Sequence, residues 1–210
     1  MPVSQGTVGQ VLGSDGAVLP GGLRQGRLGD GIYSELHGRY YEQCYRKNLF
    51  TAYCAAQATS VVGTAMVGLQ VWNGSPLSNG INLVLLKVGG MIVVTSASVT
   101  SLVLATGVGQ VIAPTGQTAT TRTSNNFIGG PGPQATALAA GTFTNAPTAL
   151  VNLMHNTAAI ATTGEDTGFF VDLEGSIIIP PQCYVAIAAV GAAVAASGSN
   201  LHLMWEEVPA

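Results

Sequence analysis

Apolar and polar residues alternate along much of the chain after residue 50, with the two-residue period of a β-strand. The last segment shows this most clearly, because Leu201, Leu203 and Trp205 alternate with His202 and Met204. Alternation of this kind places the two sets of side chains on opposite faces of a strand. Similar short segments stand between clusters of Gly, Pro, Asn and Ser, which favour turns. The predicted strands are 67–72, 81–88, 91–94, 102–104, 149–155, 168–173, 176–179, 183–188 and 201–208.

No segment carries apolar residues at helical spacing with charges opposite. The pattern therefore predicts an all-β protein, a jelly-roll-like β-sandwich with an extended N-terminal arm. Gly89-Gly90 predicts a bend or bulge within its strand region, and 180–182 predicts the turn of a hairpin that joins strands 176–179 and 183–188. Residues 105–148 are the least regular part, and the Gly/Pro run at 129–133 excludes both a helix and a central strand there.

The first 50 residues differ from the rest in composition. Nine glycines fall before residue 32 with few large apolar side chains between them, so this stretch buries too little to fold alone. We divide the chain into an extended Gly-rich N-terminal arm (1–32), a contact segment (33–50) and a β-sandwich body (51–210). The contact segment is rich in Tyr and Arg, types enriched at interface centres. Alternatively, residues 33–50 form the first strand and turn of the body.

Charge is scarce and unevenly placed. Only 8% of the 210 residues are charged, with 7 Lys+Arg against 10 Asp+Glu and a net charge of -3. This balance argues against binding nucleic acid through a basic face. Residues 48–164 contain only Lys87 and Arg122 as charges, an unusual exterior for a monomer, so we expect a homo-oligomer, with a trimer favoured and a monomer as the alternative. No apolar run is long enough to span a bilayer as a helix, so we expect no membrane partner.

Few residue patterns suggest chemistry. The three cysteines form no disulfide framework or zinc motif, and the histidines lack metal-site spacing, so we expect no cofactor, no metal site and no catalytic residue. Asp172 and Glu174, two apart on a predicted strand and preceded by 165–166, leave open a calcium site or a carboxylate pair. Asn73 begins an Asn-Gly-Ser glycosylation acceptor, which we discount because no secretory signal precedes it.

Several short segments of the sequence resemble those of bacteriophage virion proteins encoded among head and tail genes. They are HGRYYE at 37–42, RKNLFT at 46–51, GINLVL at 80–85, DLEGSIIIPP at 172–181 and WEEVP at 205–209. Related phage proteins have Pro-Pro-Gly where this chain has Gln182, which leaves the turn type open. The resemblance implies a capsid decoration (cement) protein, or the β-sandwich of a head or tail fibre, located in the virion and made in the bacterial host cytoplasm.

Three functions follow as expectations. The first is a non-enzymatic capsid decoration protein that oligomerises and stabilises the phage head by binding the major capsid protein or other virion proteins. The second is a fibre or receptor-binding sandwich that recognises host surface glycan, although 55–168 contains few aromatic residues for stacking on sugars. The third is an enzyme such as a depolymerase that uses Asp172 and Glu174. The residues expected to attach the protein to the capsid or a partner are Arg24, Arg27, Tyr33, Arg39, Tyr40, Tyr41 and Tyr45.

Overall fold

The structure is a computed structural model that describes residues 24–25, 31–32, 40–92, 101–120, 122–155, 167–191 and 193–210. The described residues divide between two compact units, Met1–Arg46 and Lys47–Ala210. In the first unit, the short strands β1 (Arg24–Gln25) and β2 (Gly31–Ile32) pair antiparallel. The helix α1 (Tyr41–Tyr45) belongs to the same unit.

The second unit is built from antiparallel strands, which confirms the prediction of an all-β sandwich. Its strands are β3 (Leu49–Thr59), β4 (Ala65–Asn73), β5 (Ile81–Ile92), β6 (Ser101–Gly107), β7 (Thr115–Ala119), β8 (Arg122–Asn125), β9 (Thr136–Thr142), β10 (Thr148–His155), β11 (Thr167–Ile179), β12 (Cys183–Val190) and β13 (Val194–Pro209). One sheet has the order β11-β5-β13-β3-β8, and the other has the order β10-β6-β12-β4-β9-β7.

Eight of these strands follow the jelly-roll path. From β3 to β6, the chain changes sheet at every step. β6 and β10 are antiparallel neighbours in the six-stranded sheet, and the chain then alternates between sheets again from β10 to β13. The segment between β6 and β10 supplies the additional strands β7, β8 and β9. The pattern predicts the least regular part of the chain here, but β8 pairs as the edge strand of the five-stranded sheet, and β9 and β7 extend the six-stranded sheet.

The main core lies between the two sheets. It includes Trp205, whose ring stacks on Phe50 at a centroid distance of 6.0 Å, together with Leu201 and Leu203. All four side chains are buried, so the alternation in the last segment correctly predicts the inward face of β13. A second apolar cluster, which includes Tyr184, covers the other face of β12. This strand is therefore buried on both faces, unlike β13, whose outward residues are half-exposed.

The predicted bend or bulge at Gly89-Gly90 is wrong. β5 runs through both glycines, and its pairing with β11 and β13 shows no register shift there. A Cβ at Gly89 would collide with the imidazole of His202, and one at Gly90 would lie 2.9 Å from the backbone oxygen of Asn200. The two glycines therefore make room for neighbouring groups and do not turn the chain.

The predicted hairpin between 176–179 and 183–188 is also wrong. β11 and β12 lie in different sheets, so Pro180-Pro181-Gln182 forms a corner between the sheets. The corner is closed by a hydrogen bond from Cys183 N to Pro180 O at 3.2 Å, and Gln182 N donates to Asn73 O at 2.8 Å. Two prolines in succession supply no backbone donors for a ladder, so the chain leaves the sheet at this point.

Candidate functional site

The predicted attachment residues fall in the first unit, and the structure describes only some of them. Arg24 lies in β1, whereas Arg27, Tyr33 and Arg39 lie outside the described residues. Tyr40 precedes α1 and is half-buried. Tyr41 and Tyr45 lie one helical turn apart, where side chains four residues apart are neighbours. Their rings are exposed and stack at a centroid distance of 6.0 Å. The structure thus brings two of the seven residues together, and their role in attachment stays a prediction.

The loop between β6 and β7 holds exposed aliphatic side chains in a fixed conformation. Val108, Val111 and Ile112, here called the loop cluster, are 69%, 64% and 74% exposed. Between them, the side chain of Gln110 is buried. Its Nε2 donates to Ile112 O at 2.5 Å, and its Oε1 accepts from Thr144 N at 2.7 Å.

The backbone of Gln110 is also fixed on both sides. Its N–H donates to Gln182 O at 2.8 Å, and its carbonyl oxygen accepts from the indole nitrogen of Trp72 at 3.0 Å. These bonds tie the loop to the corner after β11 and to the end of β4. Because hydrogen bonds within the protein hold the loop at Gln110, the loop can keep its shape while its apolar side chains are exposed to solvent.

The outward face of the five-stranded sheet carries a row of aromatic side chains. Tyr53 is directly opposite His202, His202 is opposite Gly89, and Gly89 is opposite Phe170 on the far strand. Directly opposite residues point to the same face of a sheet. We call Tyr53, His202 and Phe170 the aromatic row. It crosses β3, β13 and β11, and Gly89 of β5 lies between His202 and Phe170.

The missing side chain at Gly89 lets the rings on either side of it approach. The Phe170 and His202 ring centroids are 5.7 Å apart at a tilt of 34°. The Lys87 ammonium lies 5.3 Å from the centroid of Phe170, within cation–π range. Phe170 and Tyr53 are nevertheless 62% and 38% exposed, so both rings are accessible to solvent. Burial of His202 lowers the pKa of its imidazole below the usual 6.5.

The acidic pair Asp172 and Glu174 shapes the chain locally. Both residues are exposed, and Asp172 Oδ1 accepts a hydrogen bond from Glu174 N at 3.0 Å. Glu174 and Gly175 have positive φ angles of 53° and 78°, within a bulge that shifts the register between Asp172 and Ile177. Among the described residues, no group of three or more His, Cys, Asp or Glu could hold a metal ion. Residues 165–166 lie outside the described part of the chain.

The other candidate groups are held in structural contacts. Asn73 is fully buried, and its Nδ2 donates to the carbonyl oxygens of Ile81 and Ile179, so the glycosylation acceptor is inaccessible in the fold. Cys44, Cys54 and Cys183 are all free thiols, as expected. Burial raises the pKa of the Cys183 thiol more than a backbone hydrogen bond to Gly109 lowers it, which disfavours the reactive thiolate.

No match to this chain is found among protein families, curated proteins or solved structures. In the part of the chain that the structure describes, no helix is long and apolar enough to cross a membrane.

The sequence pattern reveals neither the loop cluster nor the aromatic row. Val108, Val111 and Ile112 stand in the least regular stretch of the sequence, and nothing local marks Gln110 as buried. Tyr53, Phe170 and His202 all lie outside 55–168, the range in which the sequence contains few aromatic residues. The alternation in β13 does place His202 on the outward face, but its neighbours on that face follow from the strand order.

Proposed function

We propose that this protein is a non-enzymatic structural component of a bacteriophage virion, a capsid decoration protein that forms a trimer on the assembled head. Two observations support this function: several short sequence segments resemble phage virion proteins, and the exterior is weakly charged. The jelly roll is compatible with it, because viral capsid domains are among the proteins that use this fold. Binding only to the assembled shell would stabilise the shell by mass action.

The loop cluster is the structural observation that carries the proposal. Val108, Val111 and Ile112 expose aliphatic side chains that are costly to leave in water. Gln110 fixes the backbone of the loop that carries them, so little backbone entropy is lost when another protein covers them. We assign them to contact with the major capsid protein, together with the attachment residues predicted in the first unit.

The test uses phage particles assembled without this protein. The wild-type chain, a chain lacking residues 1–32 and the triple variant Val108→Ser, Val111→Ser, Ile112→Ser are each added, and occupancy is measured by cryo-electron microscopy. We expect the wild type to fill its sites and to raise the temperature at which the particles open. Each variant should bind at least about tenfold more weakly, which corresponds to about 1.4 kcal/mol of lost contact.

The matched control is Leu150→Ser, which removes a 54% exposed aliphatic side chain from β10 and should leave occupancy unchanged. Wild-type protein that does not bind the particles would overturn the proposed function. Unchanged occupancy of the chain lacking residues 1–32 would overturn only the role of the arm, and unchanged occupancy of the triple variant would overturn only the role of the loop cluster.

A further inference from the structure

The outward face of the five-stranded sheet has the dimensions of an extended binding platform. The aromatic row crosses three inter-strand spacings, or about 14 Å from β3 to β11. The platform is one face of a sheet, and the rings of Tyr53 and Phe170 are exposed on it. A surface of this length and shape suits a linear chain that lies across the strands. A compact ligand is instead usually bound in a concave pocket.

The Phe170 end of the platform is ordered before any ligand arrives. The Phe170 ring contacts His202 across Gly89 and lies under the Lys87 ammonium, at centroid distances of 5.7 and 5.3 Å respectively. Gly89 itself is buried beneath these side chains. Rings that are already fixed lose little rotamer freedom when a ligand stacks on them.

The chemistry of the face is mixed. Lys87 and Asp172 are directly opposite each other, next to the row, and Lys87 is in turn opposite Met204. Asn200 lies two residues from His202 on the same strand and so shares its face. Charged residues beside the rings are unlike the centre of a protein–protein interface, which is depleted of Lys and Asp. Sugars present apolar C–H faces for aromatic rings and hydroxyl groups for charged and amide side chains.

We propose that the aromatic row is a carbohydrate-binding site that stacks a linear oligosaccharide on Tyr53 and Phe170, with His202, Lys87 and Asp172 contacting its hydroxyl groups. This site goes beyond the proposed role in capsid decoration and does not depend on it. It uses the sheet face, whereas the capsid contacts are assigned to the loop cluster and to the first unit.

The experiment screens the full chain on a printed array of bacterial surface oligosaccharides and plant and animal glycans. The array oligosaccharide with the highest signal is then titrated by calorimetry. We expect binding to at least one linear oligosaccharide. Phe170→Ala and Tyr53→Ala should each weaken it at least about fivefold, the size expected for losing one stacking partner. Phe170→Tyr should retain it, because the ring is kept.

The chain offers a closely matched control in Phe127. Its ring is 37% exposed and lies 5.1 Å from the Lys47 ammonium, so it repeats the Phe–Lys pair at another place. Phe127→Ala should leave oligosaccharide binding unchanged. Thermal unfolding checks that each variant folds, and Tyr53→Ala and Phe170→Ala serve as independent variants because the two residues lie on different strands.

Three results would overturn the proposal. The first is the absence of any array signal with the wild-type chain. The second is equal binding by wild type, Tyr53→Ala and Phe170→Ala. The third is a change in oligomer mass by light scattering in Phe170→Ala but not in Phe127→Ala, because the face would then be an interface between copies of this chain.

Discussion

At the scale of single residues, His202 shows how a neighbour changes a side chain's chemistry. Its ring occupies the space that a Cβ at Gly89 would take, and it contacts Phe170 on the same face. The resulting burial makes the imidazolium costly, which lowers the pKa of His202 from 6.5. The unfolded chain therefore binds this proton more readily than the folded chain does.

We predict that His202 contributes to acid sensitivity of the fold. The full stability associated with its neutral ring is present above about pH 6.5, and it is lost as the pH falls below that value, because the unfolded state gains the proton first. His202→Gln should therefore lose less unfolding free energy than wild type between about pH 7.5 and about pH 5. The measurement is urea unfolding at several pH values.

Met204→Gln is the control for this prediction, because Met204 lies on the same strand two residues from His202 and has no titratable group. It should keep the wild-type pH dependence. If the unfolding free energies of wild type and His202→Gln depend on pH in the same way, His202 does not contribute to the acid sensitivity of the fold.

At the scale of elements, the corner between β11 and β12 depends on one backbone conformation. Gln182 has φ 62°, in the left-handed region that favours glycine. A non-glycine residue there costs about 1–2 kcal/mol. The backbone hydrogen bonds of Gln182 to Asn73 and Gln110 hold this conformation in place.

We predict opposite effects of two substitutions at this corner. Gln182→Gly should leave the free energy of unfolding unchanged or raise it by up to about 1 kcal/mol, because relieved strain is partly offset by the greater entropy of the unfolded glycine. Gln182→Val should lower it by about 1–3 kcal/mol, because a β-branched residue fits this region poorly. Chemical denaturation measures both variants, and equal stabilities would show that the corner does not require this backbone conformation.

At the scale of the whole molecule, the segment between β6 and β10 is attached to both sheets. It adds β8 to one sheet and β7 and β9 to the other. The buried carboxylate of Glu207 on β13 accepts hydrogen bonds from the backbone N–H groups of Gln134 and Ala135, both at 3.0 Å. Charge-assisted bonds of this kind are stronger than neutral ones. This single side chain therefore joins the inserted segment to the centre of the five-stranded sheet.

We predict that Glu207→Gln destabilises the fold by about 1–3 kcal/mol, because the amide keeps one acceptor and turns a donor towards a buried N–H. Differential scanning calorimetry would record this as a lower melting temperature. Glu174→Gln, an exposed change on β11, should stay within about 0.5 kcal/mol of wild type. A Glu207→Gln protein as stable as Glu174→Gln would show that the hydrogen bonds from Gln134 and Ala135 to the Glu207 carboxylate do not stabilise the fold.

Much of the fold could be predicted because it depends on local pattern. Alternation identifies β13 and its inward face, and the apolar segments at 81–88 and 183–188 coincide with β5 and β12. The errors occur where a residue's role depends on a distant neighbour. Gly89 lies within β5 because the His202 imidazole fills the space beside it, and 180–182 leaves the sheet because β12 pairs with β4 and β6.

The sequence by itself determined the strand segments that fall in β4, β5, β6 and β10 to β13, the inward face of β13 and the low charge of the body, because each is a property of neighbouring residues along the chain. The tertiary structure alone decided which strands lie side by side. Burial favours any pairing that covers the apolar faces, and the particular pairing is set by the combined packing of both sheets. Only that pairing brings Tyr53, His202 and Phe170, from three distant segments, onto one face.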